Sequence, residues 1–256
     1  MDRFSRIVAR LGRAGFATRA VLYVWMGLQA VRLAVVSVGR PDFAGTFAAA
    51  AATGGAPLLI AMAIGLCGYA LWRWAEALRN PEGRSVWSRS DIAARGALHA
   101  WLAVTALRTA MAHRAEPRPV WQSVMAASGC PLGKAAVFGA GIFMLWFAWN
   151  EARLARRGLI SRHLDDDDVS DEGVAAIQWV GRAGMAGRAA AFGLVAAALI
   201  MSSFEPVPST SVDLADILTG VSKIAAGRFM VLAIGAGLSA YGVYLAVLAW
   251  RRRMPA

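Results

Sequence analysis

Long apolar stretches alternate with short polar ones along the whole chain. Six of them are long enough, or nearly so, to cross a hydrocarbon core of about 30 Å at 1.5 Å per residue. They predict helices near residues 20–38, 57–75, 92–112, 135–150, 183–204 and 229–250. The fourth is the shortest, and Trp149, Asn150 and Glu151 blur its end. Small residues four apart, Ala61 with Gly65, Ala135 with Gly139 and Ala233 with Gly237, mark the even stretches as helices that pack closely where lipid gives no hydrophobic drive for association.

The polar positions repeat as well. Two arginines six residues apart open three separate hairpins: Arg13 and Arg19, Arg89 and Arg95, Arg182 and Arg188. The outer copies, GRAGFATRA from Gly12 and GRAGMAGRA from Gly181, agree at seven of nine positions. The middle copy keeps Arg89, Ala93 and Arg95 but has Asp91 where the others have Gly15 and Gly184. Each unit closes on an aromatic and a small residue (Tyr69-Ala70, Phe147-Ala148, Tyr241-Gly242), with an arginine ten positions after the aromatic. Two apolar helices per unit, repeated at this length, predict an internally triplicated membrane bundle. The expectation is an all-α, polytopic six-helix bundle of three tandem two-helix repeats with pseudo-three-fold order: repeat 1 at 1–80, repeat 2 at 81–158 and repeat 3 at 159–256, the last preceded by an acidic linker near 161–173.

Composition fits the pattern. The chain is 58% hydrophobic and 17% charged, with a mean hydropathy of +0.50, too apolar for an ordinary soluble domain. A formal net charge of +11 would point a soluble protein to nucleic acid; here its placement gives another reading. Nineteen of the 27 lysines and arginines lie at the two termini and around the even-to-odd connections, and six in the three opposite loops. By the positive-inside rule both termini are cytoplasmic. Anionic lipid headgroups then serve as partners for the basic excess, with no nucleic acid required. The first apolar stretch follows five arginines, as the apolar part of a signal peptide follows a basic one, but it shares the opening frame of the third and fifth and is expected to remain a helix.

Candidate chemistry is sparse. The six frame arginines, Arg13, Arg19, Arg89, Arg95, Arg182 and Arg188, read as cytoplasmic interface anchors whose guanidiniums snorkel to phosphates. Each pair diverges by about 120° around a helix, so none of the three pairs forms a clamp alone. Arg32 and Arg108 stand thirteen residues after a frame arginine, with Gln29 and Thr105 three residues before them. These four are the pathway candidates for a transporter. His99 aligns with Tyr23 and Phe192 and takes an interfacial aromatic slot. The run Asp165 to Asp168 lacks the alternating ligands and glycine turn of a calcium loop and reads as solvated linker. No catalytic, cofactor-binding or metal-ligating set presents itself, and no cofactor is implied.

Arginine-glycine openings and the closing pattern Gly65-Leu66 with Tyr69, and Gly237-Leu238 with Tyr241-Gly242, resemble the bacterial family called domain of unknown function 1206. The resemblance covers nearly the whole chain and departs most in the middle copy. It implies the architecture and a bacterial inner-membrane location, and no site residues. The expected function is that of a non-catalytic structural or regulatory membrane component, with room for a protein partner or homo-oligomer. The alternative is a small-molecule or ion transporter with a polar path among the odd helices.

Overall fold

The computed structural model describes residues 3–79, 83, 85–112, 124, 126, 128–157, 170–205 and 212–251. Seven α-helices and no strand occur among the described residues: α1 (Arg3–Val36), α2 (Phe43–Arg79), α3 (Val86–Ala112), α4 (Pro131–Arg157), α5 (Asp171–Phe204), α6 (Leu214–Ser222) and α7 (Gly227–Arg251). Five of them, α1, α2, α4, α5 and α7, are long and apolar enough to cross a membrane. The third expected span lies in α3, which has the length at 27 residues but carries Arg89, Asp91, Arg95, His99 and Arg108. Leu28, Val35, Ile64, Leu71, Trp146 and Phe229 are exposed on the other helices. An outer surface this apolar belongs in lipid; the chain is a multi-pass membrane protein.

The frame segments are continuous with the long helices that follow them. α1 is continuous over 34 residues, about 50 Å, because backbone angles inside it stay helical; the chain turns only after it, at Ser37 (φ 57°) and Gly39 (φ 152°). α5 likewise starts at Asp171, with Ser170 Oγ accepting from the Gly173 N–H at 3.3 Å, a helix N-cap that claims the end of the expected linker. The run Asp165 to Asp168 lies outside the described residues. α4 begins with Pro131 in its first turn, where the missing N–H costs nothing, and runs through Glu151 to Arg157.

Residues expected to be loop form helix at the other end of the hairpins. α2 is broken at Gly55 (φ 62°, ψ −159°), a backbone region open essentially to glycine alone, two residues before Pro57. The portion 43–54 is thus a separate helical piece. Asp42 caps it, its Oδ1 accepting from the Gly45 N–H. α6 occupies the corresponding connection before α7.

In space the long helices neighbour one another in the order α3, α2, α1, α7, α5, α4. The ring is not completed, because α3 and α4 do not pack along their lengths. The residues say why. α1 meets α2 where Gly15 lies against Tyr69 and Gly65 against Thr18; α5 meets α7 where Gly184 lies against Tyr241 and Gly187 against Gly237. A side chain at any of these glycines would collide with the neighbour. Counted from the frame arginine and from the closing aromatic, the matching positions of α3 and α4 are Asp91 and Phe143, both too large for such an approach.

Candidate functional site: a buried arginine knot and the cavity above it

The two sequence landmarks of each hairpin meet. Arg19 lies over the ring of Tyr69 at 4.3 Å, Arg95 over Phe147 at 4.3 Å, and Arg188 over Tyr241 at 4.2 Å. Desolvated stacking of this kind is worth about 2 kcal/mol or more. Arg19 and Arg188 are each 4% exposed, and Arg95 is 18% exposed. Headgroup anchors would sit at the surface; these side chains turn inward, because the rings and a carboxylate there offer partners that lipid phosphates would otherwise supply.

That carboxylate is Glu151, 2% exposed. Its Oε1 pairs with Arg95 Nη1 at 3.2 Å and its Oε2 with Arg188 Nη1 at 3.2 Å, so one side chain of α4 ties α3 to α5. Asp91, the departure from glycine in the middle frame, pairs with Arg95 Nε at 2.9 Å. Among the described residues no carboxylate pairs with Arg19; its Nη2 donates to the Tyr241 hydroxyl at 3.1 Å. Arg73 donates to the Tyr69 hydroxyl at 2.8 Å and pairs with Glu76 at 2.8 Å. His99 joins this interior, 6% exposed, with its Nδ1 at 2.6 Å from the Arg95 carbonyl and its ring 4.6 Å from Tyr69; its ring is buried among helices. Around Glu151, three guanidiniums thus meet two carboxylates, and Nε of both Arg19 and Arg188 is buried without a hydrogen-bond partner.

The other frame arginines play a different part. Arg89 Nε donates to the Ala77 carbonyl at 2.8 Å and Arg182 Nε to the Ala155 carbonyl at 2.9 Å, each satisfying an orphan acceptor in the last turns of the preceding long helix. Arg13 is exposed. Arg182→Gln is expected to lower stability by about 1 kcal/mol, read as a shift in the thermal unfolding midpoint in detergent; no shift would remove the cap.

Above the knot lies a cavity of about 500 Å³, with Tyr23 and Arg188 at one end and Arg40, Asp42 and Asp213 at the other. Its remaining lining is almost wholly apolar and comes from both α3 (Leu102, Thr105) and α4 (Ala140, Phe143), whose separation opens it sideways. At the far end Arg40 Nε pairs with Asp42 at 3.2 Å. Burial works against the Arg40 charge, but Asp42, Asp216 and Asp213 outweigh it and hold its pKa above the ordinary arginine value. Of the four pathway residues only Thr105 lines the cavity; Arg32 and Arg108 are exposed on the outside of the bundle and Gln29 is half-buried away from it. Glu151, Asp91, Arg73 and the tyrosines were not among the sequence candidates, although Glu151 is a carboxylate one turn beyond the closing aromatic of a span.

Fold and site together define a multi-pass helical membrane protein in which Arg19, Arg95, Arg188, Asp91 and Glu151 gather in one interior cluster. The chain belongs to the family described as Domain of Unknown Function (DUF1206), whose model matches it in two segments, residues 14–80 and 183–252. It is also similar to the uncharacterized protein YxxB of Bacillus subtilis (strain 168), at 23% identity over 248 residues, covering 93% of this chain and 88% of that protein. No solved structure matches the chain.

Proposed function

We propose that the protein is a non-catalytic component of the bacterial inner membrane, structural or regulatory in role. In this reading three two-helix repeats give six spans, α3 included, and both termini lie in the cytoplasm. The observation that carries the reading is the repeated stacking of frame arginine on closing aromatic at 4.3, 4.3 and 4.2 Å. The family model's two matched segments and the paired carbonyl caps of Arg89 and Arg182 support the repeat. As a sixth span α3 is acceptable because Asp91 and Arg95 neutralise each other and Glu151 meets Arg95, lowering the cost of charge in lipid.

A membrane role without transport is supported by how these charges are used. They bind one another at one end of the cavity, where a conducting path would need them open to water. Thr105 in the cavity wall favours the transporter alternative, which the same experiment tests. Proteoliposomes carrying the protein are expected to pass potassium and chloride no faster than empty vesicles. A protein-dependent flux that Thr105→Leu abolishes would replace the reading with transport. A C-terminal fluorescent-protein fusion is expected to glow and a C-terminal alkaline phosphatase fusion to be inactive; the reverse would overturn the topology.

A further inference from the structure

The cavity is a slot along the helix axes. On α5 its wall is one stripe, Arg188, Ala191, Val195 and Leu199, rising about 16 Å over eleven residues. The wall is apolar over that height, and its base holds Arg188, whose guanidinium carbon lies 5.2 Å from the ring centroid of Tyr23. The volume falls within the range of about 300–1,000 Å³ typical of small-molecule sites. Access is lateral, through the seam that Asp91 and Phe143 keep open between α3 and α4, with Trp101 and Phe143 half-exposed at its edges.

From this we infer that the cavity binds a single-chain anionic amphiphile from the bilayer, its chain filling the slot and its carboxylate or phosphate head on Arg188. Charge selects the head. The knot has one more guanidinium than carboxylate among Arg19, Arg95, Arg188, Glu151 and Asp91, and of these five side chains Arg188 lines the cavity. An anion beside Arg188 balances the charge of the cluster, which an uncharged lipid cannot do. The slot's width excludes none of the chain chemistry, but its single stripe and single base suit one chain and one head. The site does not depend on the topology proposed above; only the leaflet does, and with cytoplasmic termini the head points as inner-leaflet lipid heads do.

The test is direct binding to the full chain in phosphatidylcholine nanodiscs, with empty discs subtracted. Tritiated palmitate and palmitoyl lysophosphatidate present the two heads, and palmitoylglycerol is the uncharged comparison. One saturable site per chain is expected for at least one of the anions, with palmitoylglycerol about tenfold weaker or more, since a hydrogen bond to a charged group is worth about 1.5–3 kcal/mol. Ala140→Trp and Ala136→Trp, which place a ring in the slot, are expected to abolish saturable binding. Ile142→Trp, exposed on the same helix outside the slot, is expected to leave it intact. Absence of a saturable site for both anions, equal affinity for palmitoylglycerol, or retention of binding in a correctly folded slot-filled variant would overturn the assignment. Ion flux and reporter topology play no part in this readout, so its failure is separate from theirs.

Discussion

Replacing Glu151 by glutamine is expected to destabilise the protein by about 3–5 kcal/mol, the cost of leaving buried charges without their partner. Glutamine has nearly the same shape, so the loss is electrostatic. Arg188, 4% exposed, would keep its rings but no carboxylate, and Arg95 would keep only Asp91. The join between α3 and α4 should suffer most, because the Arg95–Glu151 pair links helices that do not otherwise pack along their lengths. Unfolding of the purified protein by titrated denaturing detergent measures the change. Arg13→Gln, at an exposed frame position, is the comparison and is expected to stay within about 0.5 kcal/mol of the parent. Equal stability of the Glu151 variant and the parent would mean that the ion pairs contribute nothing net.

Gly184→Leu is expected to cost about 1–3 kcal/mol or more through overpacking, read as a lowered melting midpoint in detergent. A side chain at Gly184 would run into the backbone of Tyr241, and the shift would also carry the Tyr241 ring from beneath Arg188. Gly139→Leu is the matched control: nothing stands within 4 Å of a Cβ placed there, so the midpoint should hardly move. Comparable losses in the two variants would show that the effect comes from glycine's replacement in a helix and not from close approach.

Much of the architecture was legible because membrane helices announce themselves by length and apolarity. The frame arginines and closing aromatics were also visible, as separate landmarks. What the one-dimensional pattern could not convey is that they face each other: their separation of about fifty residues carries no direction, and an arginine at a helix start has lipid phosphate as an equally good partner on paper. Glu151 is hidden for a related reason, since a carboxylate at the edge of an apolar run looks like the end of a span until its two arginines arrive from α3 and α5. Small-residue pairs gave a mixed guide. Gly65 and Gly237 mark close helix contacts, whereas Gly139 has open space above it. The helical piece 43–54 and α6 leave no mark in the apolar pattern, because short segments in connections lack the length that identifies a span.

Coupling between Glu151 and Arg188 tests the buried knot most directly. In a double-mutant cycle of Glu151→Gln and Arg188→Gln, measured by the same detergent titration, side chains paired at 3.2 Å are expected to be non-additive by about 1–3 kcal/mol, while Glu151→Gln combined with Arg13→Gln should be additive. Additivity of the Glu151 and Arg188 substitutions within about 0.5 kcal/mol would contradict it, and return the frame arginines to the membrane surface.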